Sequence, residues 1–505
     1  MKKVRVTAWL TVLLMLLSAF GPMAQAVPIE DPMDAELSGV PSVWFEEHPE
    51  WAEVYLRSWE IHKDKINRIG VGCNPEEPYY VDEAFNSNLF LWDTSFMMLF
   101  DKFGYFEFPT LESMDNFYYN QHDEEGEEYG FICRVLSQST GADVWPNETV
   151  DGENRALASI NPPLLSWAEW EQYKIHGDAS RFTEVIDGKT VFERLCNFYD
   201  YIENSRRKEN GLYGGTNGYG NGLDNTPNQD NEKLSWGEND GSQTQNDLSI
   251  QQAQNAYYIT LIAKEIGQTE KAAYYQAKYE ELVTLINDLL WDETTSIYSN
   301  LTAEGEKTNI STPTSLWALL AGVATEETAA AMIEDHALNS EKLFRPGGLA
   351  SLEYDWDGAT TSYIPEGGYW RGGIWAPTSY AYIKGLENYG YDALAFQEAV
   401  RHLNLVTDAY RYEGTLYENY SPEYDIEDTV GGSRRKEFVG WTGCLSIGVI
   451  LENIIGVRPN AAANTVDWYP ALTEGYGVEK LRFGRSSPGL PVHHQLPEFT
   501  QTHPH

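Results

Sequence analysis

Residues 248–290 have the sequence LSIQQAQNAYYITLIAKEIGQTEKAAYYQAKYEELVTLINDLL, which predicts two consecutive helices joined by a tight turn. Apolar residues recur at helical spacing from Leu248 to Ile266, and Gly267 ends this first helix. Thr269 then caps a second helix that runs to Leu290. The apolar positions along the second helix are Ala273, Ala277, Leu282, Ile286 and Leu289. The segment therefore predicts a helical hairpin.

The same periodicity recurs along most of the chain. Further helices are predicted at 51–68, 94–103, 162–176, 191–203, 314–322, 326–336, 377–389, 393–410 and 443–455. The longest loops between helices, rich in Gly, Asn, Asp and aromatic residues, are 210–247, 346–375 and 412–440. Loops of such length are uncommon unless they carry a function. Helices that alternate with functional loops at one end predict an all-α fold, a toroid of helical hairpins.

Residues 1–26 have the features of a secretion signal peptide. A basic start, residues 2–5, precedes an almost wholly apolar run at 9–20, and Ala-Gln-Ala at 24–26 supplies the small residues of a cleavage site. The apolar run is short for a membrane span, which takes about 20 residues. We therefore expect cleavage of this segment and a secreted or periplasmic protein, with a membrane-tethered N-terminus as the alternative.

The rest of the chain shows no interior linker, so residues 40–457 are predicted to form one domain. Residues 458–484 form a short C-terminal segment, and the alternation near 464–483 favours β structure there. Residues 485–505 are rich in Pro and His and lack periodicity, so we expect a disordered tail.

The charge and aromatic content restrict the partners of this protein. Acidic residues number 77 and basic residues 35, for a formal charge of −42. Because phosphate binding needs cationic patches, nucleic acid is excluded as a partner and an anionic membrane surface is disfavoured. Many of the 16 Trp, 32 Tyr and 19 Phe lie in polar loops. Flat aromatic faces beside amides and carboxylates suit sugars, which stack through C–H faces and hydrogen bond through hydroxyls.

Cofactor and metal motifs are absent from the sequence. It contains no GxGxxG or GxxxxGK[ST] phosphate-binding loop and no HExxH zinc motif. The four cysteines, Cys73, Cys133, Cys196 and Cys444, are widely spaced, so a thiolate metal site is not expected. One or two disulfides and buried free thiols both stay open. We expect no cofactor and no catalytic metal, with calcium conceivable only as a structural ion.

Six motifs follow one another along the chain. They are NSNLFLWDTS at 86–95, NPP at 161–163, GLDNTP at 222–227, YWRGGIWAP at 369–377, LYENYSP at 416–422 and GWTG at 440–443. Each is weak alone, but together they resemble glycoside hydrolase family 63, particularly its bacterial branch of mannosylglycerate hydrolases and α-glucosidases. The likeness covers about residues 80–457, and the trehalase family is a more distant match.

This resemblance implies an (α/α)6 barrel with long active-site loops and an inverting, exo-acting hydrolase of small α-linked glucosides or mannosides. Two departures concern the substrate. Relatives commonly have Gln-Pro-Pro where this chain has Asn161-Pro-Pro, and Trp-Arg-Gly-Pro where it has Trp-Arg-Gly-Gly at 370–373. The tail after Phe483 also differs from the short β segment with which relatives usually end.

The catalytic pair is implied by the same motifs. Inversion needs a protonated carboxylic acid against the leaving oxygen and a carboxylate that activates water on the opposite face. Asp224 matches the family's general acid, and Glu418 matches its general base. On residue pattern alone Asp224 also suits an ordinary turn, since Asp-Asn-Thr-Pro is good turn chemistry. Glu413 and Glu423 are alternatives to Glu418 that the pattern does not separate.

Substrate-binding residues are implied at eight positions: Trp92, Asp93, Asn161, Asn225, Trp370, Arg371, Trp375 and Trp441. Trp92 and Asp93 suit a sugar pocket with an aromatic wall and a hydroxyl acceptor, although Asp93 also suits the first turn of a helix. Arg371 resembles a substrate-contacting arginine that keeps Glu418 ionised, or else it forms a structural ion pair. The tryptophans at 370, 375 and 441 are either stacking platforms or core.

The expected partner is a small oligosaccharide or glycoside, bound by a monomer. Two other interpretations stay open: a trehalase-like hydrolase, and a carbohydrate-binding helical toroid that has lost catalysis. The second would lack a carboxylate at Asp224 or Glu418, and both carboxylates are present. A helical-toroid lyase is disfavoured, because only ten His occur and several lie in the tail.

Overall fold

The computed structural model describes most of the chain. The residues that it describes are 4–7, 35–70, 74–76, 78–82, 86–144, 149–150, 153–154, 160–216, 218–227, 243–356, 358, 362–423, 435–484 and 490–494. Cys73, most of the segment 1–26 and most of the segment 485–505 lie outside them.

Helices dominate the described residues, as the periodicity predicted. They are α1 (Pro49–Lys63), α2 (Leu91–Asp101), α3 (Thr110–Tyr119), α4 (Leu165–His176), α5 (Val191–Arg206), α6 (Gly218–Asn221), α7 (Asn246–Glu265), α8 (Thr269–Leu289), α9 (Pro313–Leu320), α10 (Glu326–Met332), α11 (Ala376–Asn388), α12 (Asp392–Glu413) and α13, which comprises the π-helical segments Cys444–Gly448 and Ile450–Ile455. A π-helical segment, Ile333–Ala337, extends α10, and 3₁₀ turns form at Leu37–Gly39, Lys102–Gly104 and Ala179–Thr183. The helices α3 and α6 were not predicted from the sequence.

Local chemistry accounts for several helix ends. The Thr190 hydroxyl accepts a hydrogen bond from the Glu193 backbone N–H while the Glu193 carboxylate accepts from Thr190, a capping box that starts α5. Proline occupies the first turn of α1, α9 and α11, where no backbone N–H is needed. Gly177, with φ of 69°, ends α4 in the left-handed conformation that glycine adopts without steric cost.

Alternate helices pack into a closed ring. In this ring α2 packs on α4, α4 on α7, α7 on α9, α9 on α11, α11 on α13, and α13 on α2. Outside the ring, α8 packs on α7, α12 on α11 and α13, and α1 on α13. Every residue of α2 is buried, as expected for a helix that has neighbours on all sides.

The hairpin predicted at 248–290 is formed by α7 and α8, with two corrections. Gln268 is the N-cap of α8, so Thr269 is its first helical residue and not its cap. The buried face of α8 consists of Ala272, Tyr275, Leu282 and Ile286. Ala273 and Ala277 are exposed, since a 3.6-residue period that passes through Leu282 and Ile286 turns them outward.

Strands are short. They are β1 (Val4–Thr7), β2 (Ser42–Phe45), β3 (Ile66–Arg68), β4 (Tyr79–Val81), β5 (Leu89–Phe90), β6 (Val135–Leu136), β7 (Thr149–Val150), β8 (Glu153–Asn154), β9 (Val185–Ile186), β10 (Lys189–Thr190), β11 (Trp291–Asp292), β12 (Ile297–Tyr298), β13 (Phe344–Arg345), β14 (Gly348–Leu349), β15 (Val457–Asn460), β16 (Thr465–Trp468), β17 (Tyr476–Leu481) and β18 (Leu490–His494). Two small antiparallel sheets have the strand orders β1-β16-β15 and β18-β17-β2.

The disordered tail predicted at 485–505 is wrong for part of its length. Strand β18 pairs antiparallel with β17, which places Val492 opposite Val478. Val492 packs against the apolar core, so this part of the tail gains both backbone hydrogen bonds and buried surface. The composition of the tail did not reveal the free edge of β17 with which it pairs.

In the described part of the predicted signal peptide, Val4–Thr7 pairs with β16. Among the described residues, no helix has both the length and the apolar character needed to span a bilayer. Cys133, Cys196 and Cys444 are buried, and no disulfide joins any two of these three.

Candidate active site

The site lies at the end of the ring where its helices begin, and one of its walls is the segment that carries Asp224. After α6, Gly222 takes φ of 83°, and a Cβ built on it would stand only 2.7 Å from the indole of Trp92. Glycine is therefore needed both for the backbone turn and for the close approach of the chain to the ring. The Asn221 side chain accepts from the Leu223 N–H and donates to Asp247 at the start of α7. These contacts hold the Asp224 segment between α2 and α7.

Asp224 lies half-buried among charged groups. Burial raises its pKa to about 6, and the nearby Glu418 carboxylate acts in the same direction. The guanidinium groups of Arg134 and Arg435 oppose this rise. A carboxyl group with this pKa keeps its proton at a higher pH than an ordinary aspartic acid, as a proton donor requires.

Glu418 lies in a loop that is anchored on two sides. The backbones of Tyr420 and Ile374 exchange hydrogen bonds of 2.9 and 3.1 Å. The Trp441 indole N–H donates to the Glu418 carbonyl at 2.8 Å, and the Thr442 hydroxyl donates to the neighbouring carbonyl of Tyr417. The Glu418 side chain is only 1% exposed. The loop thus presents a buried carboxylate from a rigid frame.

Among the described residues, Arg435 and Tyr369 donate to the Glu418 carboxylate. Arg435 Nη1 lies 3.0 Å from Oε1, and the Tyr369 hydroxyl donates to the same oxygen at 3.3 Å. Hydrogen bonds and positive charge favour the ionised form of a carboxyl group. The contacts with Arg435 and Tyr369 therefore favour the ionised form of Glu418.

The locations of Glu413 and Glu423 distinguish these two alternatives from Glu418. Glu413 is exposed at the end of α12. Glu423 accepts two hydrogen bonds from Arg345 and one from the Tyr363 hydroxyl, at 2.7–2.9 Å. Of these three glutamates, Glu418 is the one whose charge acts on both Asp93 and Asp224.

Asp93 and Trp92 occupy the first turn of α2. Burial raises the pKa of Asp93 well above its ordinary value, and the carboxylates of Glu418 and Asp224 raise it further. Three carboxyl groups thus share one buried site. The Trp92 indole packs edge-on against Phe96, at 4.7 Å between ring centroids. Trp92 and Asp93, which were predicted to line a sugar pocket, both lie at this site. Asp93 also lies in the first turn of α2, which was the alternative interpretation of this residue.

The two predicted asparagines bind the protein itself. Asn161 accepts from the Trp92 backbone N–H at 3.2 Å and donates to the Gly220 carbonyl. Asn225 donates to the Gly368 carbonyl at 3.0 Å and accepts from the Trp370 N–H at 2.8 Å. Because both ends of each amide bind backbone, the structure shows them as positioning residues, and their direct contact with substrate stays a prediction. Asn161 joins α2 to α6, and Asn225 joins the Asp224 segment to the loop at 368–370.

The structure places Trp370 and Trp375 in the core. Their indoles stack face to face at 4.0 Å between ring centroids and are 2% and 0% exposed, while their contact with substrate stays a prediction. The physical reason is mutual burial, since each ring uses its face to cover the other. Trp441 lies beside Trp375 at 5.8 Å and is itself 5% exposed, while its indole N–H supports Glu418.

Arg371 does not contact the base. Its Nε and Nη2 donate to the carbonyl of Ser362 at 3.1 and 2.9 Å, so it fastens its own loop. The cation predicted to hold Glu418 ionised is instead Arg435. Arg435 belongs to a basic run at 434–436 in a strongly acidic chain, and that contrast was the available signal.

Tyr369 was also missed, although it begins a motif quoted from the sequence. It has φ of 65°, an uncommon conformation for a side chain of this size. Burial raises the pKa of its hydroxyl, and the carboxylates of Asp224, Glu418 and Asp93 contribute. Strained backbone at a cluster of charges is typical of functional sites. Arg134, whose charge lowers the pKa of Asp224, lies in none of the six motifs, so no sequence pattern identified it.

No group of His, Cys, Asp and Glu within the described part of the chain could hold a metal ion.

Comparison with known proteins identifies the family. Residues 117–435 match the model of the mannosylglycerate hydrolase MGH1-like glycoside hydrolase domain, a domain of glycoside hydrolase family 63. The chain belongs to this family. It is a glycoside hydrolase, and its substrate is a sugar.

Individual relatives are distant. The chain is 31% identical over 166 residues to a probable trehalase of Eremothecium gossypii, covering 32% of this chain and 22% of that protein. It is 27% identical over 192 residues to the mannosylglycerate hydrolase of Rubrobacter radiotolerans, covering 38% and 40%. These alignments span less than half the length of either relative.

A solved family 63 structure shares the fold. The mannosylglycerate hydrolase of Thermus thermophilus in complex with glucose superposes with a TM-score of 0.56 at 16% identity. The superposition covers 78% of this chain and all of that one. The resemblance of six short motifs to family 63 is thus confirmed.

Proposed function

We propose that this family 63 hydrolase is an inverting, exo-acting α-glycosidase with Asp224 as general acid and Glu418 as general base. The observation that carries the proposal is the contrast between the surroundings of the two carboxyl groups within one site. Burial raises the pKa of Asp224 to about 6, while Glu418 lies 3.0 Å from the guanidinium of Arg435. Carboxyl groups whose environments push them apart in this way suit separate acid and base roles.

The proposed chemistry needs four parts. Asp224 donates its proton to the glycosidic oxygen as the bond breaks, and Glu418 removes a proton from the water that attacks the opposite face of the sugar. Asp93 accepts hydrogen bonds from sugar hydroxyls beside Trp92. Tyr369 and Arg435 hold the Glu418 carboxylate toward the water. The closed ring of α2, α4, α7, α9, α11 and α13 supports the proposal that this site stands on an (α/α)6 barrel.

The proposed substrates are small α-linked glucosides or mannosides, of the mannosylglycerate or α-glucoside type. The support is the similarity to mannosylglycerate hydrolases. A trehalase-like activity is the second candidate, because a probable trehalase is the relative with 31% identity over 166 residues.

Hydrolysis assays with a panel of α-glucosides, α-mannosides, trehalose and glycosylglycerates test this proposal. We expect kcat/KM for one class to exceed the others by at least roughly tenfold, which corresponds to one or two well-placed hydroxyl contacts. Highest activity on trehalose would favour the second candidate. Absence of hydrolysis across the panel, with sugar binding retained, would leave the non-catalytic binding protein.

We also propose that residues 1–26 direct export and that the mature protein works as a secreted or periplasmic monomer. The basic start and apolar run of this segment motivate the first part. N-terminal sequencing of protein recovered outside the cytoplasm should begin after residue 26, and light scattering should give the mass of one chain. An unprocessed N-terminus or a dimer mass would contradict the respective part.

A further inference from the structure

A second cavity lies at the opposite end of the ring from the catalytic carboxyl groups. It has a volume of about 460 Å³ and is lined by residues near the C-terminal ends of the ring helices, among them Lys102 after α2, Glu171 in α4 and Glu452 in α13. Its rim includes Asn388 and Gly390, which are exposed to solvent. Cavities of roughly 300–1,000 Å³ are typical of small-molecule sites.

The floor of this cavity is a built network of ions. Lys102 is 3% exposed, and its ammonium contacts Glu171 at 2.7 Å and Glu452 at 2.5 Å. Lys384 contacts the second oxygen of Glu452 at 2.7 Å. Burial alone would lower the pKa of Lys102, but the two carboxylates raise it above its ordinary value. The network therefore stays ionised at neutral pH.

The lining is balanced in charge, although the chain as a whole is strongly acidic. Its cations are Lys102, Lys174, Lys384 and Arg458, and its carboxylates are Glu171, Glu387, Asp392 and Glu452. A cavity with equal numbers of both charges does not select an anion or a cation by its net field. It does offer many charged donors and acceptors to neutral hydroxyls, and hydrogen bonds to charged groups are the stronger kind.

Aromatic faces complete the lining. Tyr258 and Tyr469 lie in the wall and are partly exposed, and Trp167 stacks on Tyr258 at 6.5 Å between ring centroids. Trp167 also contacts Phe96 and Trp317, the two rings that flank Trp92. A layer of aromatic side chains thus separates this cavity from the catalytic site, so the two do not form one pocket.

We propose that this cavity is a second, non-catalytic binding site for a neutral polyhydroxyl compound, a monosaccharide or a small polyol. Aromatic faces stack against sugar C–H faces, and the surrounding ions bind the hydroxyls. The proposal does not depend on which glycoside the catalytic site cleaves.

The test is a ligand-observed NMR titration of the full chain with D-glucose, D-mannose and glycerol, repeated with inorganic phosphate. An Asp93→Asn variant is included because it weakens sugar binding at the catalytic site alone. We expect saturable binding of at least one neutral probe to Asp93→Asn, with a Kd on the order of 1 mM. Phosphate should not bind saturably in the same range.

Two variants of the cavity lining, each with a control, test whether the sugar binds in this cavity. Tyr258→Ala should weaken it roughly tenfold through loss of the aromatic face, while Tyr274→Ala, which removes an exposed tyrosine of α8 outside the cavity lining, should leave it unchanged. Asp392→Trp should weaken binding by narrowing the rim, whereas Asp392→Asn should not. Loss of all sugar binding in Asp93→Asn, preference for phosphate, or equal affinity in all four cavity and control variants would each overturn the proposal.

Discussion

The guanidinium of Arg435 lies 3.0 Å from Oε1 of Glu418, a carboxylate that is only 1% exposed. The two residues lie 17 positions apart along the chain. A buried carboxylate that keeps a cationic partner stays charged, whereas one that loses its partner takes up a proton more readily. In the proposed mechanism, this pair therefore governs the protonation state of the general base.

Arg435→Gln should impair catalysis through Glu418. We expect kcat/KM to fall by roughly 10²-fold, as for loss of general base assistance. The acidic limb of the pH–rate profile should move to higher pH, because the unpaired carboxylate now needs a higher pH to ionise. Arg482→Gln is the matched control, since it breaks a remote arginine–glutamate pair that is also 3.0 Å long. An unchanged profile in Arg435→Gln would contradict this role.

As the proposed general acid, Asp224 should set the alkaline limb of the pH–rate profile. Burial raises its pKa to about 6, and the acid works only while protonated, so kcat/KM of the free enzyme should fall as pH rises through about 6. Asp224→Asn should remove this limb and abolish turnover of natural glycosides. The variant should keep measurable turnover of an activated aryl or fluoride glycoside, whose leaving group needs no proton. Equal loss on both substrates would leave the acid role unsupported.

Tyr369→Phe should lower kcat with little change in KM. The tyrosine hydroxyl donates to Glu418 at 3.3 Å, so its removal leaves the base less firmly oriented without removing it. We expect a decrease of roughly tenfold, the equivalent of one hydrogen bond to a charged group. Tyr363→Phe is the matched control, because it removes a similar bond to Glu423 in the same loop region. A similar decrease in both variants would indicate a general effect of the loop.

Gly222→Ala should displace the acid. The added Cβ would lie 2.7 Å from the Trp92 ring, so either the indole or the Asp224 segment has to move. Gly267→Ala is matched in backbone, with φ of 72°, but its Cβ would meet open space. Both should lose about 1–2 kcal/mol in the free energy of unfolding from the left-handed conformation. Only Gly222→Ala should also lose activity, by more than tenfold, in an assay of kcat/KM; comparable activity in the two variants would contradict the steric argument.

The sequence predicted the parts of this molecule that local patterns determine. The hairpin at 248–290 followed from a 3.6-residue period, and the order of the motifs located Asp224, Glu418, Trp92 and Asp93. In the structure these four residues meet at one end of the helical ring, because each lies at or just before the start of a ring helix or in an adjoining loop.

Local sequence patterns could not predict contacts between segments that are distant along the chain. The stacking of Trp370 on Trp375 decides that both are core, but a tryptophan in a polar loop looks the same when it faces a sugar. The side-chain amides of Asn161 and Asn225 likewise bind backbone groups, and one partner of Asn225 lies 145 positions away along the chain. The pairing of Arg435 with Glu418 and of β18 with β17 depends on the tertiary fold in the same way.

If Glu418 acts on water and not on the sugar, the stereochemistry of the first product must show it. Proton NMR of the reaction mixture, recorded before mutarotation of the released sugar, identifies the anomer that forms first. We expect the β-anomer from an α-linked substrate, because water attacks the face opposite the leaving group. First formation of the α-anomer would rule out this role for Glu418, since a retaining enzyme needs the second carboxylate as a nucleophile in contact with the sugar.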